Sequence, residues 1–199
     1  MNNSSFLNLD GKKLILASAS PRRENLLKMI GFDFEVVDSQ VDEQSEVYTI
    51  PEVHVLELAQ KKALKVAEKI KSGLIIGADT IVVLNNIILG KPKDAKQAKE
   101  ILRQLSDRTH TVYTGFAIVE KPSGEMVSEF EKTLVSFRKL ADEEIVRYIQ
   151  SGSPLDKAGG YGIQDQGALF VEKIDGCFYN VMGLPVTKLY QALGKFIRD

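Results

Sequence analysis

Apolar positions in this chain follow two rhythms in turn, one of strands and one of helices. Residues 13–18 (KLILAS) are a short apolar run that reads as a buried strand. Ser20 looks like an N-cap, and Pro21 opens a helix that runs through Met29 and stops at Gly31. Residues 32–37 (FDFEVV) alternate as a strand, and 39–50 are polar and acidic, as in a loop. Pro51 opens a long helix to Lys71, with Leu56, Ala59, Ala63, Val66, Ala67 and Ile70 on its inner face and Gly73 as its cap. The run LIIGADTIVVL at 74–84 predicts a long strand, followed by an Asn85-Asn86 turn and a short strand at 87–89. Asp94 caps a helix over 95–105 that turns Ala98, Ile101, Leu102 and Leu105 inward. Residues 110–120 and 125–138 form a hairpin about Pro122-Ser123-Gly124. A short amphipathic helix at 141–150, a glycine-rich loop at 156–167, a strand at 168–174 and a helix at 185–197 complete the pattern. Helix–strand alternation with a long hairpin predicts an α/β fold on a mixed sheet.

The 199 residues suit one domain, and 44% hydrophobic with 27% charged residues is ordinary globular composition. The net charge of -1 argues against a bulk electrostatic grip on nucleic acid, and no aromatic-basic surface pattern accompanies it. Cys177 is the only cysteine, which excludes an internal disulfide and a cysteine-rich zinc site. His54 and His110 are the only histidines and stand far apart in sequence. With no signal-like or membrane-spanning run, a cytoplasmic location is expected. The chain lacks GxxxxGK[ST], GxGxxG and GxSxG, so neither a P-loop, a dinucleotide turn nor a nucleophile elbow is supported.

Four places break local rules. Arg22 and Arg23 stand in the first turn of a helix, where the macrodipole disfavours cations. With Ser18, Ser20 and the free amides of the turn they would bind phosphates, and both are expected to serve a ligand rather than the helix. Asp79 interrupts an apolar strand, a costly position for a carboxylate unless it is paired or metal-bound. With Thr80 beside it, Asp79 could act as general base or hold a divalent cation; a bulge at Gly77 that lets it reach water is the plain alternative. Gly90-Lys91-Pro92 could aim Lys91 at a phosphate, although such a turn is ordinarily just solvated. The loop DKAGGYGIQ at 156–164 has three glycines for close ligand approach, and Gln164 offers both donor and acceptor; a flexible surface loop is the equal alternative. Asp42 and Glu43 could complete a metal site, Lys62 reads by default as a snorkelling surface lysine, and Cys177 as a packed small residue.

Taken together, LILASASPRRENLL at 14–27, Val41-Asp42-Glu43, Gly77-Ala78-Asp79-Thr80, Gly90-Lys91-Pro92, DKAGGYGIQ at 156–164 and NVMGLP at 180–185 resemble the Maf nucleotide pyrophosphatases. The likeness spans about residues 13 to 197 and leaves 1–12 as an N-terminal extension to a single domain, 13–199. It implies an elongated mixed sheet flanked by helices around a central cleft, similar to the inosine triphosphatase group. It also implies hydrolysis of nucleoside triphosphates to monophosphate and pyrophosphate with Mg or Mn, by a homodimer. By resemblance, Asp79 is the proton acceptor. Arg22, Thr80 and Gln164 set base choice, Ser18, Arg23, Lys62 and Lys91 line the phosphates, and Glu43 with Asp79 holds metal. Arg22, Thr80 and Gln164 together are similar to the dTTP/UTP branch rather than the 7-methyl-GTP branch. The alternative from another class is a nucleotide-binding regulator of cell division without turnover, and an intact Asp79 argues against it.

Overall fold

The computed structural model describes residues 8–42 and 50–197. Among these, a seven-stranded sheet runs in the order β2-β1-β3-β5-β6-β7, with β4 added to β3. The strands are β1 (Leu14–Leu16), β2 (Glu35–Val36), β3 (Gly73–Leu84), β4 (Ile87–Leu89), β5 (Thr109–Lys121), β6 (Met126–Phe137) and β7 (Val171–Asp175). The helices are α1 (Pro21–Met29), α2 (Pro51–Ala67), α3 (Ala95–Leu105), α4 (Asp142–Gln150), α5 (Phe178–Met182) and α6 (Val186–Gly194). Strand β1 pairs in parallel with β2 and β3, whereas β4 runs antiparallel to β3 and β7 antiparallel to β6. The sheet is mixed, as the alternation with a hairpin required.

The chain divides into two compact units, one of residues 1–79, 114–131 and 183–199 and the other of residues 80–113 and 132–182. It passes from the first to the second between Asp79 and Thr80, inside β3.

In the first unit, Ala59, Ala63, Val66 and Ala67 of α2 pack on Ile15 and Ala17, on Ile75 of β3 and on Ala117 and Val119 of β5. The contact is unusually close because glycines face the helix. A Cβ on Gly77 would lie 2.2 Å from Ala59 O and 2.6 Å from Ala63 N, and one on Gly115 would lie 2.4 Å from Val55 O. Gly77 is therefore no bulge: β3 runs through it unbroken, and the missing side chain admits the helix backbone. The inner face of α2 is Val55, Leu58, Ala59, Lys62, Ala63, Val66 and Ala67; Leu56, expected inward, is half-buried. The helix ends at Ala67, and Gly73 does not cap it: Gly73 opens β3, where a Cβ would meet Lys13 O at 2.7 Å. Before β1, Lys12 pairs with Glu120 at 2.7 Å and donates to Phe196 O.

In the second unit, Ile101, Leu102 and Leu105 of α3 and Ile145 and Tyr148 of α4 close on Val82, Leu84, Leu89, Val112, Val135 and Phe137. Helix α3 matches its expected bounds and inner face, and Asp94 Oδ1 caps it by accepting from Gln97 N at 2.7 Å. The strand expected at 168–174 starts only at Val171, because Gln166–Phe170 winds into a 3-10 turn. Helix α5 was not anticipated; its Asn180 is fully buried and donates to Val112 O at 3.0 Å and Thr133 Oγ1 at 2.9 Å.

The backbone approach at Gly77 gives the first prediction. Gly77→Ala forces a Cβ into helix backbone, which cannot yield as a flexible side chain can, and should cost about 3 kcal/mol or more. Thermal unfolding checks it, with Gly194→Ala, where a Cβ meets nothing within 4 Å, as the neutral control.

Candidate active site

The charged cluster of the first unit is built where β1 ends beside β3. Leu16 pairs with Ile76 in parallel, so Ser18 lies two residues and Asp79 three residues beyond that register point. Asp79 is 5% exposed, and its Oδ1 takes a 2.7 Å hydrogen bond from Lys62 Nζ. Lys62 is itself 4% exposed, and its Nζ also lies 3.4 Å from Ala78 O. This overturns the snorkelling reading of Lys62: the helix lies too close to the sheet for its side chain to reach water, and it reaches Asp79 instead. A buried pair of this kind holds only as a pair. Removing one partner leaves a naked buried charge, worth about 3–5 kcal/mol of destabilisation.

Sequence reasoning missed His54. Its Nε2 lies 3.9 Å from Asp79 Oδ2, with a side chain 11% exposed. The signal was present in the spacing: 54, 58 and 62 are four residues apart along α2 and fall in one column of the helix surface.

Arg22 and Arg23 have different lots. Arg22 is half-buried. Arg23 is 8% exposed, its Nε donates to Gly183 O at 2.8 Å and its Nη1 to Ser18 Oγ at 3.2 Å. Arg23 thus serves the fold as well as any ligand, because a buried guanidinium needs carbonyl or hydroxyl acceptors. Ser20 occupies the cap position of α1, but its side chain makes no cap bond; its own N–H donates to Ser18 Oγ at 3.2 Å. Ser18 Oγ therefore accepts twice. The first turn of α1 carries no side-chain cap, as suits an anion site.

The second unit holds the polar, uncharged part of the prediction together with Lys91. Thr80 is half-buried, and Lys91 and Gln164 are exposed. The Gly90-Lys91-Pro92 turn and the glycine-rich loop meet: Gly159 N donates to Gly90 O at 3.1 Å. Gly159 has a φ of 70°, and a Cβ there would strike Val82 at 2.9 Å. The loop is well bonded rather than loose. Tyr161 is buried with its hydroxyl 2.8 Å from His110 Nε2, and both rings stack edge-on with Phe137. Lys157 Nζ donates to Ser153 O and Asp156 Oδ1, each at 2.6 Å. Burial lowers the His110 pKa from 6.5 to about 4.

No group of three or more His, Cys, Asp or Glu is placed to hold a metal among the described residues, and Glu43 lies outside them. No described helix is long and apolar enough to cross a membrane.

The first unit thus brings a buried strand carboxylate paired with a helix lysine beside a helix start that carries Arg23 on Ser18. The chain belongs to the Maf-like protein family, whose model matches residues 13–196. It is 51% identical over 183 residues to a dTTP/UTP pyrophosphatase of Thermoanaerobacter sp. (strain X514), covering 91% of this chain and 95% of that one. It is 50% identical over 185 residues to the dTTP/UTP pyrophosphatase of Bacillus cytotoxicus, covering 93% and 96%. It is 47% identical over 192 residues to that of Caldicellulosiruptor saccharolyticus, covering 94% and 96%.

His110 gives a pH prediction. Its folded pKa lies below the unfolded one, so the unfolded chain binds the extra proton. Its contribution is complete above about pH 6.5 and is lost as pH falls toward about 4, for a total of about 3 kcal/mol. Urea unfolding at stepped pH should show this decline, and a His110→Leu variant should show a flatter one. Equal slopes in the two proteins would assign the decline to other groups.

Proposed function

We propose that this chain is a nucleoside triphosphate pyrophosphatase that hydrolyses dTTP and UTP to the monophosphate and pyrophosphate. The observation that carries the reading is the buried Lys62–Asp79 pair on the GADT strand, in a family whose relatives at about half identity are named for that activity.

The family resemblance, with the Lys62–Asp79 pair, supplies the division of labour. Lys62 holds Asp79 Oδ1, and Oδ2, with His54 Nε2 3.9 Å away, is the oxygen that would take a proton from water. The water oxygen then bonds to the α-phosphorus, the bond from that phosphorus to the bridging oxygen breaks, and pyrophosphate leaves. Lys62 fixes the carboxylate's orientation, so little reorganisation accompanies the transfer. Arg22, Arg23, Ser18 and Lys91 offset the phosphate charge. Arg22, Thr80 and Gln164 select the base; the Gln164 amide matches the carbonyl and N–H edge of thymine and uracil and opposes the amino group of cytosine.

Mg or Mn is carried over from the family resemblance, and of its two assigned carboxylates only Asp79 lies among the described residues. Such ions favour oxygen donors and commonly take one or two carboxylates with the substrate's own phosphates, so a crowded protein cage is unnecessary. Asp79 would hold the ion, with Glu43 assigned by resemblance. When bound, it neutralises phosphate charge and makes the α-phosphorus more electrophilic. A lone cysteine supports work in the reducing cytoplasm, and family resemblance supports a homodimer.

A nucleotide panel tests the reading. dTTP and UTP should yield pyrophosphate and monophosphate with Mg or Mn, and activity should vanish in excess EDTA. Orthophosphate with a diphosphate would overturn the reaction type, and a preference for 7-methyl-GTP the substrate. Asp79→Asn keeps an oxygen for Lys62 but not the negative charge, so it should lose stability, yet where folded it should still bind nucleotide while turnover falls about 10²–10⁴-fold. Turnover near the parent rate would move the base elsewhere.

A further inference from the structure

Tyr148 of α4 joins the two ends of the segment that carries Gln164. Its phenolic oxygen accepts the Gly162 N–H at 3.0 Å and donates its proton to Asp165 Oδ1 at 3.0 Å. Those two residues flank Ile163 and Gln164, so one hydroxyl bridges a two-residue span. Each end is secured further. Asp165 also accepts from the Ser153 hydroxyl at 2.5 Å and from Gly167 N at 2.7 Å, and pairs with Lys157 at 3.5 Å. Gly162 has no room for a side chain, since a Cβ would lie 2.6 Å from Asp165 Oδ2. Tyr161, the residue before it, is held by His110. The Tyr148 ring packs edge-on against Phe170 with centroids 5.0 Å apart, so the core sets the position of its oxygen. Between these anchors Gln164 stands exposed.

We propose that Tyr148 is a positioning residue for base recognition: by bonding Gly162 to Asp165 it presets the Ile163–Gln164 segment to present the Gln164 amide to the base. The inference rests on the reading of Gln164 as a base-selecting residue. A segment of two residues between fixed ends has few conformations, so the entropy of ordering Gln164 is lost on folding and not on binding. Without the bridge the amide samples many orientations. Its hydrogen bonds then favour one pyrimidine over another less, while the phosphate-binding charges act unchanged.

The test measures kcat and KM for UTP and CTP in the parent protein, Tyr148→Phe, Gln164→Ala and the double variant, with thermal unfolding alongside. Tyr148→Phe keeps the ring and its contact with Phe170. It should lower the UTP-to-CTP ratio of kcat/KM about tenfold, through a raised KM for UTP, with kcat changed by about twofold or less. The double variant should discriminate no worse than Gln164→Ala alone, because the two act as one unit. An unchanged ratio in Tyr148→Phe, with a lowered one in Gln164→Ala, would make Tyr148 purely structural, whatever its melting temperature. Additive losses would also overturn the proposal. A ratio unmoved by Gln164→Ala would instead fell the base-reading role on which it rests. Should Tyr148→Phe not fold, Asp165→Ala removes the other end of the bridge and is read by the same ratio.

Discussion

The approach of α2 to the sheet governs the rest of the charged site. Helix backbone and strand backbone come so near at Gly77 and Gly115 that no Cβ fits at either place. The alanines at 59 and 63 complete a seam of small residues. Close-packed interiors transmit such spacing rigidly. At that depth the lysine on the same helical face is only 4% exposed, and the aspartate two residues beyond Gly77 only 5%. Each charge compensates the other in a medium that would otherwise reject both.

That pairing also says why an acid can be kept in an apolar strand for chemistry. An unpaired carboxylate there would take up a proton or unfold the strand. Lys62 satisfies one carboxylate oxygen, and His54 Nε2 stands 3.9 Å from the other. The ammonium is a point charge with rotatable donors, so it holds its partner without demanding the planar fork that arginine requires. Arginine is used where a carbonyl and a hydroxyl must be gathered at once, as Arg23 gathers Gly183 O and Ser18 Oγ.

Much of this was legible in the residues, for identifiable reasons. Helix α3 carries a cap and a clean 3.6-residue rhythm, and its bounds follow from both. Asp79 announced itself by standing where its cost is high. Lys62 and His54 did not, because a sequence does not state how near a helix lies to its sheet; only Gly77 and Gly115 hinted at it, and glycine in a strand also reads as a bulge. Gly73 was misread for a related reason: it suits a helix terminus by type, yet it opens β3 hard against Lys13 O. Ser20 does stand at the cap position of α1, but its side chain makes no cap bond. The 3-10 turn at Gln166–Phe170 rests on Asp165 accepting from Gly167 N, a local bond that strand periodicity cannot register.

Recognition by charge and recognition by base edge make different demands on the support of a loop. Charges act on a triphosphate at long range and tolerate small displacements, because Coulomb energy falls slowly with distance. Discrimination between uracil and cytosine depends on hydrogen bonds that weaken steeply with angle and are lost within fractions of an ångström. A loop that reads base edges therefore needs firmer support than one that neutralises phosphates. The glycine-rich loop has that support in Tyr161 on His110, Gly159 on Gly90 and Tyr148 across Gly162 and Asp165, all bonds within one unit. Burial reinforces it, since it raises the pKa of Tyr148 and Tyr161 and lowers that of His110, so all three stay neutral hydrogen-bonding groups at physiological pH. Glycine in this loop thus serves fit more than flexibility: a Cβ at Gly159 would strike Val82, and one at Gly162 would strike Asp165 and Lys157.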